Sequence, residues 1–452
     1  ARWMVHGAAD ISMREYDPRR FGSYATKEWQ VTKAHEDYCL RHEIPFPHFN
    51  RLAGRPVKPS PLYDRLRDKG AVHEEVFGHE RPRFFARGIA QRDHYSFRRT
   101  PVDAIVAAEV RAVRERAGIM DISAFTKVRV SGPGSAAALD RLLANRLPKP
   151  GRVGLAHILG PGGRIELETT VVNLGGAEET FYLVCAAFFE QRLLDHLAAH
   201  GVGGVTNLSD RWAALALNGP RARDILAACT DARLDNGAFP WMAARQITVA
   251  GHPLWALRMS YAGELGWEFH VPREATLAVY EALWAAGAAH GLTDYGSFAM
   301  NAMRMEKAFK GAGELTNEVT LAEADVLRFA RRDKDFVGAD RTFAAPRYLC
   351  AYLDIEPDRP ADAREGAIDG HGGEAVLLGG AVVGSTSSVV YGPTVGRVLA
   401  FAYLSPEAAR PGTELEVLIH GAPRAARVLA KPAYDPGSVR PRTDAPDVVP
   451  AQ

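Results

Sequence analysis

The 452-residue chain is 47% hydrophobic and 24% charged, which is typical of a globular protein with two to four domains. Its 55 Lys and Arg residues against 54 Asp and Glu residues leave a formal net charge of +1, so no global field favours nucleic acid or a membrane surface, and a small molecule at a local site is the expected ligand. No apolar run reaches the length of a membrane span, and the first residues lack the basic-then-apolar layout of a secretion signal.

Residues 1–100 are rich in aromatic, His, Arg and Pro residues, and the one helix predicted among them covers Thr26–Arg41. The sequence does not begin with Met and opens like the middle of a domain, so we expect a fragment or a split protein. The composition changes near Thr100. A second helix is predicted over Val102–Ala117, with Gly118 as its glycine stop.

Helical and strand patterns then alternate, and the stretches 118–200 and 205–290 are similar enough to predict two related α+β units. After Arg347, short strands separated by turn residues predict a small closed β-barrel of roughly eighty to ninety residues. The predicted helices are Ser135–Leu147, Phe188–His200, one that runs from the Gly219-Pro220 turn to Cys229, Glu274–His290 and Phe298–Phe309. The predicted strands are Thr126–Val130, His157–Leu159, Arg164–Leu174, Thr180–Cys185, Trp212–Leu217, Gln246–Val249, Pro253–Ser260, and, in the barrel, Tyr348–Ile355, Glu374–Leu378, Ala381–Ser385, Gly396–Tyr403 and Glu414–Ile419.

The four cysteines give no sign of a metal or disulfide framework. Cys39, Cys185, Cys229 and Cys350 are far apart, and none of them forms a Cys-x-x-Cys pair. We therefore predict no metal site and a reducing, cytoplasmic location.

The sharpest signal is the run Ser260-Tyr261-Ala262-Gly263-Glu264-Leu265-Gly266-Trp267-Glu268, in which two glycines allow tight turning and two carboxylates lie near two aromatic rings. An aromatic face beside a carboxylate suits a flat heterocycle with ring N–H donors, because the ring stacks and the carboxylate accepts two hydrogen bonds. A pterin is such a ring. The alternative is a hairpin with Glu264 and Glu268 in solvent and Trp267 in the core.

Over nearly its whole length the chain resembles the folate-binding aminomethyltransferase (glycine-cleavage T-protein) family and the carboxyl-terminal part of the flavin-linked dimethylglycine and sarcosine dehydrogenases. The resemblance implies bound tetrahydrofolate, with Tyr261 and Glu268 as folate contacts and Arg304 in the pterin pocket, either directly or by orienting Glu268. The residues alone also allow an ion pair of Arg304 with Glu306 or Glu268. Besides Ser260–Glu268, the matching stretches are Gly118–Phe125, Val130–Gly134, Asn218–Pro220, Arg304–Lys307 and Thr394–Gly396.

The segment Gly162–Val171 carries the candidate catalytic residue. As a strand it points Glu166, Glu168 and Thr170 to one face. The resemblance implies a carboxylate near the reacting folate nitrogen, and Glu168 stands where the family has Asp. Glu keeps the charge and adds about 1.5 Å of reach, so Glu168 is predicted to act in acid/base chemistry. A solvated strand face is the alternative.

The first hundred residues carry a second resemblance, to the region that follows the flavin domain in dimethylglycine and sarcosine dehydrogenases. It rests on Asp17–Gly22 and on Ala53–Pro56 followed by Pro61–Tyr63. No Gly-x-Gly-x-x-Gly follows a predicted strand, so the sequence does not predict a dinucleotide-binding start in this chain. The resemblance therefore implies that FAD belongs to an upstream or partner part, an FAD-binding oxidoreductase domain or subunit.

The expected fold is α+β in three parts. Residues 1–97 are the end of an FAD-dependent oxidoreductase part and a central linker domain, residues 98–346 are the folate-binding domain of two related units, and residues 347–452 are the β-barrel with a tail. The resemblance implies a one-carbon-transfer module of an N-methyl amine dehydrogenase or oxidase. Its partners would be folate and an amine-derived one-carbon unit, and its product 5,10-methylenetetrahydrofolate.

Three alternatives stay open. The chain could be a stand-alone aminomethyltransferase, a folate-dependent demethylase without flavin, or a non-catalytic support module of an oxidoreductase complex. The first ninety-odd residues argue against the stand-alone enzyme, whereas Glu168 in place of Asp is the best argument for the non-catalytic module.

Overall fold

The amino-terminal part folds as two helices and a two-stranded antiparallel hairpin. The computed structural model describes residues 4–5, 18–86, 95–176, 178–358 and 366–444, so most of the Asp17–Gly22 stretch but not Asp17 itself is described. The helix predicted over Thr26–Arg41 is confirmed, because the Thr26 side chain accepts a hydrogen bond from the Trp29 N–H and Arg41 ends the helix. The elements are α1 (Lys27–Leu40), α2 (Tyr63–Asp68), β1 (Ala71–Val76) and β2 (His79–Phe85).

The first α+β unit is a five-stranded sheet with the strand order β5-β6-β7-β4-β8. Its core joins β4, β6 and the two helices through Val128, Leu167 and Leu193, which are all fully buried. Along β6 the burial alternates as predicted, with Ile165 and Leu167 buried and Glu168 on the opposite, partly exposed face. The elements are β4 (Thr126–Val130), α4 (Ser135–Leu142), β5 (Val153–Leu159), β6 (Ile165–Gly175), β7 (Thr180–Cys185), α5 (Glu190–Ala199) and β8 (Val205–Asn207).

The second unit repeats the same order of elements: one strand, one helix, three strands, one helix and one strand. Its sheet has the order β10-β11-β12-β9-β3-β13, which matches the first sheet except that β3 is inserted between the last two strands. Two related units are thus confirmed, but their bounds differ from the prediction. The first begins at β4, because β3 pairs with the second sheet, and it extends to β8, whose residues 205–207 were predicted to begin the second unit. The elements are α3 (Pro101–Glu115), β3 (Ala117–Asp121), β9 (Trp212–Asn218), α6 (Ala222–Ala227), β10 (Ala244–Val249), β11 (His252–Leu257), β12 (Gly266–Pro272), α7 (Thr276–Gly287) and β13 (Leu292–Asp294).

The sequence predicted that Gly118 ends a helix, and this prediction is wrong, because Gly118 lies within β3. Helix α3 already ends at Glu115. A Cβ at Gly118 would lie 2.5 Å from the Val113 side chain and 2.6 Å from the Tyr295 ring, so glycine is needed where this strand passes under the helix.

The carboxyl-terminal part is a closed six-stranded barrel, as predicted. A sixth strand, β19, closes it by pairing with both β14 and β18, and the sequence pattern did not predict that strand. Helices α8 (Ser297–Glu306) and α9 (Ala339–Thr342) precede it, and its strands are β14 (Leu349–Ile355), β15 (Ala375–Leu378), β16 (Ala381–Gly392), β17 (Arg397–Leu404), β18 (Glu414–Ile419) and β19 (Ala422–Val428).

The two sheets pack face to face at one end through Val172 and Tyr182 of the first unit and Ala244 and Leu257 of the second. The same face of the first sheet continues along β6 to Glu168. No helix in the described part of the chain is long and apolar enough to cross a membrane. Nor do the described His, Cys, Asp and Glu side chains include a group of three or more that could hold a metal ion.

Candidate functional site

The motif Ser260–Glu268 connects β11 to β12, and its two carboxylates have different environments. Glu264 is 1% exposed, and its carboxylate accepts hydrogen bonds from Arg114 Nη1 at 2.9 Å, the Tyr434 hydroxyl at 2.7 Å and Arg440 Nε at 2.8 Å. These contacts fasten the turn to helix α3 and to the carboxyl-terminal segment. Glu264 is therefore a structural anchor.

Glu268 lies on strand β12, where successive side chains point to opposite faces, so that its side chain points away from the core of the second unit. Trp267 and Phe269 are fully buried in the second unit, whereas Glu268 and His270 lie on the other face of the strand. The Glu268 side chain is 16% exposed, and its Oε2 lies 3.8 Å from Nε2 of His270. The alternative with both motif carboxylates in solvent is wrong, although Trp267 does lie in the core.

Tyr261 is held under the segment that follows helix α8. Its hydroxyl donates to the carbonyl of Lys310 at 2.9 Å, and its ring stacks on Phe309 with centroids 6.0 Å apart and planes 16° apart. Burial raises the pKa of Tyr261 above its usual range; the Arg304 charge opposes that rise, and the Glu168 charge adds to it. Tyr261 therefore lies within electrostatic reach of both Arg304 and Glu168.

Arg304 forms a buried ion pair, but with neither of the partners that the sequence suggested. Its Nη1 lies 2.9 Å from a carboxylate oxygen of Glu314, which is fully buried, and Nη2 donates to the Ser388 hydroxyl at 3.1 Å. Nη1 also donates to the carbonyl of Phe309 at 3.1 Å. Arg304 therefore joins helix α8, the segment above Tyr261 and barrel strand β16. No contact of Arg304 with Glu268 occurs among the described residues.

Glu168 extends from β6 beside His157, its register partner on β5. Its Oε1 lies 3.5 Å from Nε2 of His157, a fully buried ring, and the Glu168 side chain keeps 31% of its exposure. The carboxylate is therefore neither buried in an ion pair nor fully solvated. Glu166, two residues earlier on the same face, is instead paired with Arg192 of helix α5.

A cavity of about 380 Å³ opens beside Glu166, on the face of β6 that also carries Glu168. It is lined by Phe77 from the amino-terminal part, Phe188 from the first unit and Ala312 from the segment after α8. The cavity is within the size range of small-molecule sites. The amino-terminal part, the first unit and the segment after α8 thus share this cavity, but none of the four site residues predicted from the sequence lines it.

Two buried polar atoms near Glu268 lack hydrogen-bond partners among the described residues, His270 Nε2 and the Tyr295 hydroxyl. Burial is the main reason that the pKa of Tyr295 lies above its usual range, and the charge of Glu268 adds to that rise. A buried hydroxyl without a partner is costly, so a ligand with an acceptor atom beside Tyr295 would stabilise this region. A pterin fits Glu268 and Tyr295, because its ring N–H groups can donate to the carboxylate and its ring acceptors can accept from the hydroxyl.

The sequence did not identify three residues that shape this site: Glu314, His270 and Tyr182. Glu314 lies only eight residues after the end of helix α8, and this short separation could have indicated it as a partner of Arg304. His270 shares the strand face of Glu268, so the period-two rule could have found it. Tyr182 lies on the other sheet, and no local pattern links it to Glu268.

Comparison with known proteins assigns the family. The model of the GCVT N-terminal domain matches residues 62–334, and that of the glycine cleavage T-protein C-terminal barrel domain matches residues 360–435. The chain belongs to the glycine cleavage T-protein family. A third model, the FAD dependent oxidoreductase central domain, matches residues 6–60.

Individual relatives agree with this membership. The chain is 32% identical to human dimethylglycine dehydrogenase, mitochondrial, over 95% of its own length and 50% of that protein, so it spans about half the length of the curated relative. It is 35% identical to the aminomethyltransferase of Streptomyces coelicolor over 72% of this chain and 88% of that one.

The fold has a counterpart among solved structures. The glycine cleavage system aminomethyltransferase T of Bartonella henselae superposes with a TM-score of 0.71 at 23% identity, covering 84% of this chain and 98% of that chain. The T-protein-like region and the carboxyl-terminal barrel of the expected fold are thereby confirmed.

Proposed function

We propose that this chain binds tetrahydrofolate between its two α+β units and transfers a one-carbon unit to it. The observation that carries the proposal is that the sheet faces bearing Glu168 and Glu268 belong to different units that meet at the Tyr182–His270 contact. Tyr261, in the turn between β11 and β12, lies within electrostatic reach of Glu168. In this proposal the Tyr261 ring and the Glu268 carboxylate hold the pterin, and Arg304 braces the segment above it through Glu314. Residues 98–346 would form the folate domain and residues 347–452 the covering barrel.

The reaction that suits this arrangement begins with an iminium made from an N-methyl amine. The iminium carbon gains bonds to N5 and N10 of tetrahydrofolate while its bond to the amine nitrogen breaks. The two protons that leave N5 and N10 depart on the amine, so the products are 5,10-methylenetetrahydrofolate and the demethylated ammonium. Holding both reactants in one enclosed space replaces a bimolecular encounter by an intramolecular one.

Glu168 is the residue that we propose to move the protons. Its carboxylate is partly exposed and has no Lys or Arg within 4 Å among the described residues. It lies on the same strand face as Glu166, which lines the cavity. A carboxylate without a fixed cationic partner can accept a proton from a folate nitrogen and return it to the departing amine. Its neighbour Glu166 lacks that freedom, because it is paired with Arg192.

The oxidation that makes the iminium belongs, in our proposal, to an FAD-binding oxidoreductase part that associates with the amino-terminal segment. FAD would accept one hydride from the N-methyl group there, that is two electrons and a proton, which leaves the iminium. Helix α1 supports this assignment, because none of its residues is buried. Five large apolar side chains on this helix and in the segment after it, which we call the outer patch, are 42–78% exposed: Val31, Tyr38, Ile44, Phe46 and Leu52.

We also propose a reducing compartment, the cytoplasm, for the protein. The four cysteines, all within the described residues, are free thiols, and two of them, Cys185 and Cys350, are buried. Burial raises the pKa of both thiols to about 12, which keeps them protonated and slow to oxidise.

The test is methylenetetrahydrofolate formation by the purified chain, with tetrahydrofolate and formaldehyde supplied and the uncatalysed rate subtracted. Glu168→Gln should lower the rate roughly 10²-fold while tetrahydrofolate affinity stays nearly unchanged, the pattern of a lost general acid/base. Glu168→Asp should retain part of the rate. The control is Glu414→Gln on the barrel surface, where the side chain is 84% exposed. Equal rates for wild type and Glu168→Gln would make the chain a binding module without acid/base chemistry at this position.

A further inference from the structure

His270 is a buried histidine between the proposed pterin carboxylate and the first α+β unit. Its ring is fully buried, and its Nδ1 lies 3.0 Å from the hydroxyl of Tyr182 on β7. Its Nε2 faces the Glu268 carboxylate at 3.8 Å and has no hydrogen bond among the described residues. The three side chains therefore form a row from one sheet to the other.

The proton positions in this row follow from its chemistry. Burial raises the pKa of Tyr182 well above its usual range, so its hydroxyl keeps its proton. Burial also lowers the pKa of His270, although the Glu268 charge opposes the shift, so the ring is neutral and carries one proton. If that proton were on Nδ1, the Nε2 lone pair would face a carboxylate, which is repulsive. Tyr182 therefore donates to Nδ1, and Nε2–H points at Glu268.

We infer that Tyr182 and His270 are positioning residues for Glu268. Tyr182 sets the tautomer of His270, and the Nε2–H of His270 binds one oxygen of Glu268 so that the other oxygen is presented to the pterin ring. The present 3.8 Å separation is longer than a hydrogen bond, and a shift of roughly 1 Å by the carboxylate closes it. This inference rests on the proposed function, because it assumes that Glu268 contacts the pterin.

The competing explanation is that the Tyr182–His270 bond only joins the two sheets. In that case its loss would lower stability and would weaken ligand binding to the same extent whether or not Glu268 is intact. A positioning role predicts instead that the effect depends on the Glu268 carboxylate. A double-mutant cycle separates the two explanations.

The experiment measures tetrahydrofolate affinity by calorimetry for wild type, Tyr182→Phe, Glu268→Gln and the double variant, with thermal unfolding recorded for each. We expect Tyr182→Phe to weaken binding about 5-fold in the wild-type background and less than 2-fold in the Glu268→Gln background. 6-Methyltetrahydropterin, which lacks the aryl tail of folate, should show the same loss as tetrahydrofolate. Tyr280→Phe is the matched control, because that buried hydroxyl donates to Asp294 at 2.7 Å, away from the row.

Two results would contradict the inference. One is an equal loss of affinity on Tyr182→Phe in both backgrounds, which indicates a structural bond only. The other is no loss in either background while Glu268→Gln alone weakens binding. If Glu268→Gln itself leaves affinity unchanged, the proposed pterin contact fails, which is a different outcome. A second test compares two variants of His270. His270→Gln, whose amide can still donate to Glu268, should bind tetrahydrofolate more tightly than His270→Leu.

Discussion

Glu264→Gln should destabilise the protein while leaving the chemistry of the pterin site in place. Glu264 is 1% exposed and forms the link between two arginines, Arg114 and Arg440, with Tyr434 as a third donor. Arg114 has a second carboxylate partner, Glu306, at 2.8 Å, so it does not become an isolated charge. The Arg114 guanidinium therefore keeps one of its two carboxylate partners.

Breaking a buried ion pair by removing one partner costs about 3–5 kcal/mol. Because Glu306 remains beside Arg114, we expect the loss of stability to lie at the lower end of this range, on the order of 3 kcal/mol. This is a large share of the roughly 5–15 kcal/mol by which folded domains are stable. The same isosteric change at Glu268, whose side chain is 16% exposed and has no Lys or Arg partner among the described residues, should cost under about 1 kcal/mol.

Urea unfolding followed by fluorescence measures both variants in one assay, and tetrahydrofolate calorimetry on the folded proteins complements it. Glu264→Gln should lose stability with little change in affinity, and Glu268→Gln should lose affinity with little change in stability. If the free energy of unfolding of Glu264→Gln lies within about 1 kcal/mol of the wild-type value, the buried network does not anchor the motif.

The remaining predictions concern a buried lysine and the exposed patch. Burial lowers the pKa of Lys127 to about 7, whereas the pKa of a lysine in the unfolded chain is near 10.4. Between these pH values the folded state binds fewer protons than the unfolded state, so stability rises with pH. The free energy of unfolding of the wild type should therefore increase by up to about 4 kcal/mol from pH 7 to 10. Lys127→Met should remove that gain, and parallel curves for the two proteins from pH 7 to 10 would contradict the assignment. Tyr38→Glu, in the outer patch, should leave the tetrahydrofolate affinity unchanged. It should reduce the amount of flavin, measured by absorbance, that co-purifies with the chain in its native assembly. An unchanged amount of flavin would mean that the oxidoreductase part does not associate at this patch.

The sequence predicted those features that depend on local periodicity. The alternation of β6, which sends Glu168 and Leu167 to opposite faces, follows from the two-residue repeat of a strand. The repetition of two α+β units could be predicted from the alternating pattern, and the barrel from short strands with turn residues. The Ser260–Glu268 motif was found because its composition is unusual over nine residues.

Features that depend on distant contacts could not be predicted. Glu264 and Glu268 are four residues apart and look alike in the sequence, yet one lies in a buried ion network and the other faces the first unit, because a turn and a strand orient them differently. The partner of Arg304 is Glu314, which a change of chain direction after α8 brings back to the helix. Strand β3 joins the second sheet although it precedes the first, and no local signal marks such a crossing.

Calorimetry of tetrahydrofolate binding to this chain without FAD, with Glu268→Ala beside wild type, tests the proposed folate site. We expect one site in the wild-type chain and a loss of binding free energy on the order of 1.5–3 kcal/mol in the variant, the value of hydrogen bonds to a charged acceptor. Unchanged affinity in Glu268→Ala, or no binding to the wild-type chain, would contradict the proposed site.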